Sequence, residues 1–148
     1  MTADHRTATE GTAPMNSLIR DRYLGDTVST GSPQTLLVRL YDRLVLDLEG
    51  AEQAIADRRL DAANSLLGHA QDIIVELHST LQVDVWDGGP ALAQLYDFCR
   101  VELVQANVAK DAARVAGVRA VLEPLRDAWR DAALALTASD VASAYLSA

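Results

Sequence analysis

Cysteine is nearly missing from this chain. Cys99 stands alone among 148 residues, which excludes an internal disulfide and a zinc site built from cysteines. Long apolar runs are missing too. No stretch reaches 18 consecutive apolar residues, so no transmembrane helix is expected. The N-terminus lacks the apolar stretch of a secretory signal, and a cytoplasmic location is the default expectation. Positive charge is scarce: 13 Lys and Arg stand against 21 Asp and Glu, a net charge of −8. That balance argues against nucleic acid and anionic membranes as partners. The three histidines are His5, His69 and His78, and the residues three places before them are Thr2, Leu66 and Val75. The Glu-x-x-His pairs that hold metals in helical bundles are therefore absent. His69, Asp72 and Glu76 share one predicted helix edge, for which a solvated face is the better reading than a metal site. Gly88-Gly89 runs into Pro90, which suits a turn better than a phosphate cradle. No Ser/His/Asp order stands out, and Cys99 sits on an apolar stripe as a core thiol would. No enzyme activity, cofactor or metal is expected.

What the chain does have is aliphatic weight. Apolar residues make up 49% of it and aromatics only 5%, with Leu, Val and Ala dominant, a composition that favours helix. The length suffices for one domain with a core. Residues 1–22 read as a disordered tail. Residues 1–14 show no hydrophobic period, and Met15 offers an alternative start. Four amphipathic helices follow at period 3.6. The first runs from Pro33 to about Asp57, with Leu37, Leu40, Tyr41, Leu44 and Leu48 on one face. The second runs from about Asp61, a plausible cap, to about Val85. Asp87-Gly88-Gly89-Pro90 then breaks the chain. The third runs from Pro90 to about Lys110, and the fourth from about Ala112 to Ala135. Pro124 inside the fourth should kink it. Residues 138–148 read as a C-terminal tail able to add a weak turn of helix. Short links between long amphipathic helices predict an all-α, antiparallel up-down four-helix bundle over 23–137. Its expected core includes Leu40, Leu44, Leu66, Ile73, Leu77, Leu95, Leu103, Leu122 and Trp129.

The third helix carries more apolar surface than a bundle needs. Phe98, Val101, Val104 and Val108 fall away from its Leu92–Leu103 stripe. One reading is ordinary exposed valine or cover by a neighbour; the other is an apolar groove for a partner helix. On the second helix Asn64, Gln71 and His78 recur every seven residues. They are either a solvated rim or amides placed to bond a peptide laid along the groove.

The opening of the first helix is the most specific stretch. Tyr23-Leu-Gly-Asp-Thr-Val-Ser-Thr-Gly-Ser-Pro-Gln-Thr-Leu-Leu-Val-Arg-Leu-Tyr-Asp42 sets an extended lead-in before a Ser-Pro helix start, with Ser32 able to cap and Pro33 at the first position. It resembles the opening of the flagellar secretion chaperone family (FliS). The resemblance continues over about residues 23–130. It takes in Ala51-x-x-Ala54-Ile55, Asn64-x-x-Leu67, Ala70-Gln71-Asp72-Ile73-Ile74-x-Glu76-Leu77, Leu81, Gly88-Gly89, Leu95-Tyr96, Leu103, Ala106-Asn107 and Arg126-x-Ala128-Trp129. The chain departs from the pattern at Asp26, Gly31, Arg39, Arg43 and Pro124, and its tail before Tyr23 is longer.

The resemblance implies a binding role. Such chaperones hold newly made flagellin in the cytoplasm by its disordered C-terminal segment, block premature polymerisation, and meet the cytoplasmic domain of the export gate. The lead-in Tyr23–Thr30 would be a movable cover. The expected partner-binding set, drawn from the helix faces and the resemblance together, is Tyr23, Val28, Leu37, Leu40, Tyr41, Asn64, Gln71, Ile74, His78, Phe98, Val101, Val104, Asn107 and Val108. A homodimer of the free chain stays open. A competing reading is a small secreted or interaction module with a Trp-x-Gly turn at Trp86-Asp87-Gly88.

Overall fold

The computed structural model describes residues 32–81 and 87–146. Expectations for residues 1–31, including the tail, Tyr23, Val28 and the lead-in, lie outside the described residues, as does Trp86. Four helices are described: α1 (Pro33–Ala56), α2 (Leu60–Thr80), α3 (Gly89–Ala109) and α4 (Ala112–Leu146).

Each helix begins and ends for a local reason. Ser32 caps α1: its Oγ accepts from the Thr35 N–H at 3.3 Å, and Pro33 at the first position gives up no needed donor. The carboxyl end of α1 closes in a left-handed turn at Arg58, φ 62°, with the Arg59 N–H returning to the Ala54 carbonyl at 2.8 Å. Lys110 does the same for α3, φ 50°, with Asp111 N–H to Ala106 O at 2.9 Å. Glycine is the usual occupant of such turns, and both positions here carry a side chain.

The structure corrects three boundaries. Arg59, not Asp61, precedes α2, and no side chain caps that end. The tight turn at Arg58 restarts the helix too early for Asp61 to serve. Helix α2 stops at Thr80, with Leu81 extended, short of the expected Val85. Helix α4 runs 35 residues to Leu146, through the stretch read as a tail. Pro124 does not end it. Pro124 and Ala120 are both exposed, so water can satisfy the Ala120 carbonyl that the missing N–H would have taken.

Cross-helix pairs fix the topology. Asp47 and His69 join α1 to α2. Asn107 bonds Asn64 at 2.9 Å, and Asp97 approaches His78 at 3.5 Å, joining α2 to α3. Arg114 reaches Gln105 and Glu102 between α3 and α4. Arg119 grips Glu52 through Nε at 2.6 Å and Nη2 at 3.0 Å, and Arg130 meets Asp42 at 2.6 Å. Along α1–α4 and α2–α3 the later residue of one helix pairs with the earlier residue of the other, and Asp47–His69 with Gly50–Leu66 does the same for α1 and α2; these three seams run antiparallel, which sets α3 and α4 antiparallel as well. Helix α1 touches α2 and α4, and α3 closes the ring more lightly against α4. Gly50 allows α1 and α2 to close: a Cβ there would stand 3.1 Å from Leu66 Cδ1.

The core runs the length of this ring. Leu40, Leu44, Ile73, Leu77, Leu103 and Leu122 are buried, while Leu66, Leu95 and Trp129 pack partly buried against them. At its centre the Tyr41 and Tyr96 hydroxyls meet at 2.6 Å, a bond between the diagonal helices α1 and α3. Burial pushes both phenols above their usual range. For Tyr41 the interactions with Tyr96 and Trp129 pull against that rise. Burial likewise lifts the Cys99 thiol to about 11, with Glu102 adding to it. Cys99 is a core thiol, as its stripe suggested.

Candidate functional site: the outer face of α3

The α3 core residues Leu92, Tyr96, Cys99, Leu103 and Ala106 all point inward. The opposite side is apolar as well. Phe98 is 54% exposed, Val101 46%, Val104 41% and Val108 84%. Among the described residues no neighbouring helix covers them. Together they present roughly 400 Å² of apolar surface, within the size range of functional patches on soluble proteins. This face is a row of knobs one helix turn apart, the spacing that receives another helix.

Its border along α2 is polar. Asn64 and His78 lie on the α2–α3 seam and are engaged by α3 itself: Asn64 with Asn107, His78 with Asp97. Asn107 also accepts from Lys110 Nζ at 2.7 Å. The His78 and Tyr96 rings stand 6.3 Å apart. The seven-residue line is thus partly a clasp between helices, with half-buried Gln71 in its middle. Between Asn64 and Gln71, Gly68 leaves the α2 surface bare: a Cβ there would meet nothing within 4 Å. Val75 is exposed one turn further on.

The remaining expected contact residues divide. Leu37 is half-buried on the first turns of α1. Leu40, Tyr41 and Ile74 are buried and present no surface to a partner. Tyr41 is held inside by its bond to Tyr96 and by Trp129, and Leu40 and Ile74 lie in the main core.

Two buried acids were not anticipated. Asp47, on the α1 core stripe, is 1% exposed and bonds His69 across the seam and Arg43 Nε at 3.2 Å. Glu76 is also buried, so the His69–Asp72–Glu76 edge is not the fully solvated face it was read as. The available signal was Asp47 interrupting an otherwise apolar stripe four residues after an arginine. Among the described residues no three His, Cys, Asp or Glu side chains gather closely enough to hold a metal ion. No described helix is long and apolar enough to cross a membrane. What this surface offers chemically is burial of apolar side chains with amides at its edge.

Comparisons with known proteins agree with the geometry. The family model described as flagellar protein FliS matches residues 15–136. A flagellar secretion chaperone FliS from Bacillus subtilis (strain 168) is 33% identical over 110 residues, spanning 74% of this chain and 82% of the relative. Another from Vibrio cholerae (serotype O1, El Tor Inaba N16961) is 30% identical over 105 residues, spanning 69% and 76%. The crystal structure of a bacterial flagellar chaperone superposes with a TM-score of 0.64 at 23% identity, over 79% of this chain and 96% of that one, and shares its fold.

Proposed function

This chain belongs to the FliS family, and on that premise we propose that it is a cytoplasmic export chaperone for flagellin. It acts by binding, not by catalysis. Its guest is the C-terminal segment of flagellin, which is disordered when free. Capture keeps the subunit from polymerising early and holds it ready for the cytoplasmic domain of the flagellar export gate. The Trp-x-Gly module reading is set aside, because that class has two long helices and four long helices are described here.

The observation that carries the reading is the uncovered apolar row Phe98, Val101, Val104 and Val108 on α3. Covering roughly 400 Å² of it is worth about 10 kcal/mol before the guest's ordering cost is subtracted. That surplus is enough to order a short amphipathic helix. The bare backbone at Gly68 lets a guest approach the seam, and the amide of Asn64 stands ready for a guest carbonyl. The lead-in Tyr23–Thr30 would shift as the guest arrives.

The test mixes the purified chain with full-length flagellin and with flagellin lacking its C-terminal segment. A complex is expected only with the first. Val104→Asp sets a carboxylate against the guest's apolar face and should weaken binding about 100-fold or more, with helix content unchanged because Val104 is solvent-facing. If Val104→Asp and Val101→Asp both stay folded and bind like wild type, the site is elsewhere, and the half-buried Leu37 edge of α1 becomes the next candidate.

A further inference from the structure

Helix α2 has a second face besides the one it buries. Asn64, Gly68, Gln71 and Val75 are spaced by four, three and four residues, and each follows a buried core residue by one position. They fall within an arc of about 60° at 3.6 residues per turn. On α3, Asp97, Val101, Val104 and Val108 repeat at the same four, three and four, again within about 60°. Such spacing is the seam of a coiled coil. The Asn64–Asn107 and His78–Asp97 contacts lay the two seams side by side. By that register Gly68 stands level with Val104, and Gln71 close to Val101. No residue of either seam is buried.

Gly68 is the odd member of its seam. A glycine inside a helix weakens it relative to alanine and is useful where another group must come close. The chain itself supplies no such group. A Cβ at Gly68 would meet nothing within 4 Å, whereas one at Gly50 would stand 3.1 Å from Leu66. The bare spot nonetheless has walls: Asn64 and Gln71 one turn to either side, and Val104 across the seam. The half-buried Gln71 side chain bonds no other described residue. Asn64 accepts from Asn107 through its Oδ1 at 2.9 Å, which leaves its Nδ2 to donate outward. Gly117 on α4 is as bare, but its neighbours one turn away, Ala113 and Ala120, are small, and no hole forms there.

We infer that Gly68 is the specificity-determining residue of the guest site: a helical guest lies along the α2–α3 groove as a third coiled-coil strand, with its bulkiest apolar side chain seated over Gly68 against Val104. The inference rests on the reading of this chain as a flagellin chaperone, so the guest is flagellin's C-terminal segment. A coiled-coil knob enters a hole framed by residues of the facing helix, and a missing side chain widens that hole. The walls fix more of the guest. An apolar residue over Asn64 or Gln71 would leave a covered amide without a partner, which is costly. The guest therefore carries polar side chains one turn to either side of its bulky residue. Beyond Gln71 the seam is apolar again at Val75. The guest stripe is polar, bulky, polar, apolar, spaced by four, three and four. A guest covering α3 from the α4 side would need none of this.

The test uses the full chain and full-length flagellin, with dissociation constants from titration calorimetry. Gly68→Leu fills the hole and should weaken binding at least about tenfold. Gly68→Ala should act in the same direction, by about threefold. Both variants should melt at or above the wild-type temperature, because the new side chain enters open space and favours helix. Gly117→Leu should bind as wild type does. In flagellin, shrinking the bulky residue of the stripe to Ala should weaken binding to wild type about tenfold and change little against Gly68→Leu. The inference is overturned if Gly68→Leu binds as tightly as wild type, or if Gly117→Leu loses as much. In either case wild type and Val104→Asp would still behave as the flagellin reading requires. A wild-type chain that does not bind flagellin overturns both.

Discussion

Replacing Tyr41 and Tyr96 by Phe, singly and together, tests the centre of the bundle. The two hydroxyls are 2.6 Å apart in side chains that are 0% and 2% exposed. Either single change strands the other hydroxyl in the core, at a cost of about 1–3 kcal/mol. The lower end is expected for Tyr96→Phe, because Tyr41 keeps its interaction with Trp129. The double variant removes both polar groups and should cost no more than the worse single change. Urea denaturation of the four proteins should therefore give a coupling of about 1 kcal/mol or more. Simple additivity would mean that the two hydroxyls do not depend on each other.

The same pair sets the alkaline limit of the fold. Burial raises both phenols above their ordinary value near 10. Below that value both states hold the protons and the stability is intact. Above it the unfolded chain releases them while the folded chain keeps them, so stability falls as pH rises. Tyr96 contributes a loss of about 1.4 kcal/mol per pH unit above that value, and Tyr41 adds a loss of the same sign. Cys99, raised to about 11, adds its own loss once the unfolded thiol ionises. The double Phe variant keeps only the Cys99 part. Its stability should gain on wild type by at least about 1 kcal/mol between pH 9 and pH 11. Parallel pH profiles for the two proteins would refute the reasoning.

Three further outcomes follow from named contacts. His69→Leu leaves the buried Asp47 carboxylate with Arg43 alone and should cost about 3 kcal/mol, whereas Asp47→Leu completes the apolar stripe of α1 and should be near neutral or stabilising; urea midpoints of the two variants check the order. Arg58→Gly relieves a left-handed φ of 62° and should raise stability by about 1 kcal/mol, read as a higher melting temperature. Ser32→Ala removes the cap on α1 and should cost about 1 kcal/mol, again by thermal melting.

The helices and their inward faces were legible because each stripe repeats at 3.6 residues, and burial follows the stripe. Leu44, Ile73, Leu103 and Leu122 needed no further information. The start of α1 was legible from Ser32-Pro33, where chemistry and position coincide. The ends were not. Helix α4 continues past Ala135 because its alanines carry the highest helix propensity and no breaker follows, while the reading waited for large apolar residues to mark its course. The start of α2 depends on Arg58 taking a backbone conformation that its residue type does not announce. Asp47 and Glu76 were missed because a pattern reading sends every acid to solvent. For Asp47 a partner on the facing helix changes that, and His69 is 22 residues away in sequence.

The α3 face shows where reading a pattern stops. Phe98, Val101, Val104 and Val108 are exposed as the helical wheel placed them, because the bundle has only one inside and α3 has two apolar sides. By the same wheel Leu40, Tyr41 and Ile74 belong to the inside, and the structure keeps them there. A guest docked on this face would meet side chains that the core does not need. The spacing of that surplus fixes the guest's geometry: apolar groups about one helix turn apart, on a segment free to order as it binds. It does not fix which protein supplies the segment, since any amphipathic helix meets that description. Family membership points to flagellar export, and the contact proposed on the α3 row would lie on a surface that charge at Val104 should spoil. The two constraints are independent. A chain that bound flagellin without using α3 would keep the first and lose the second.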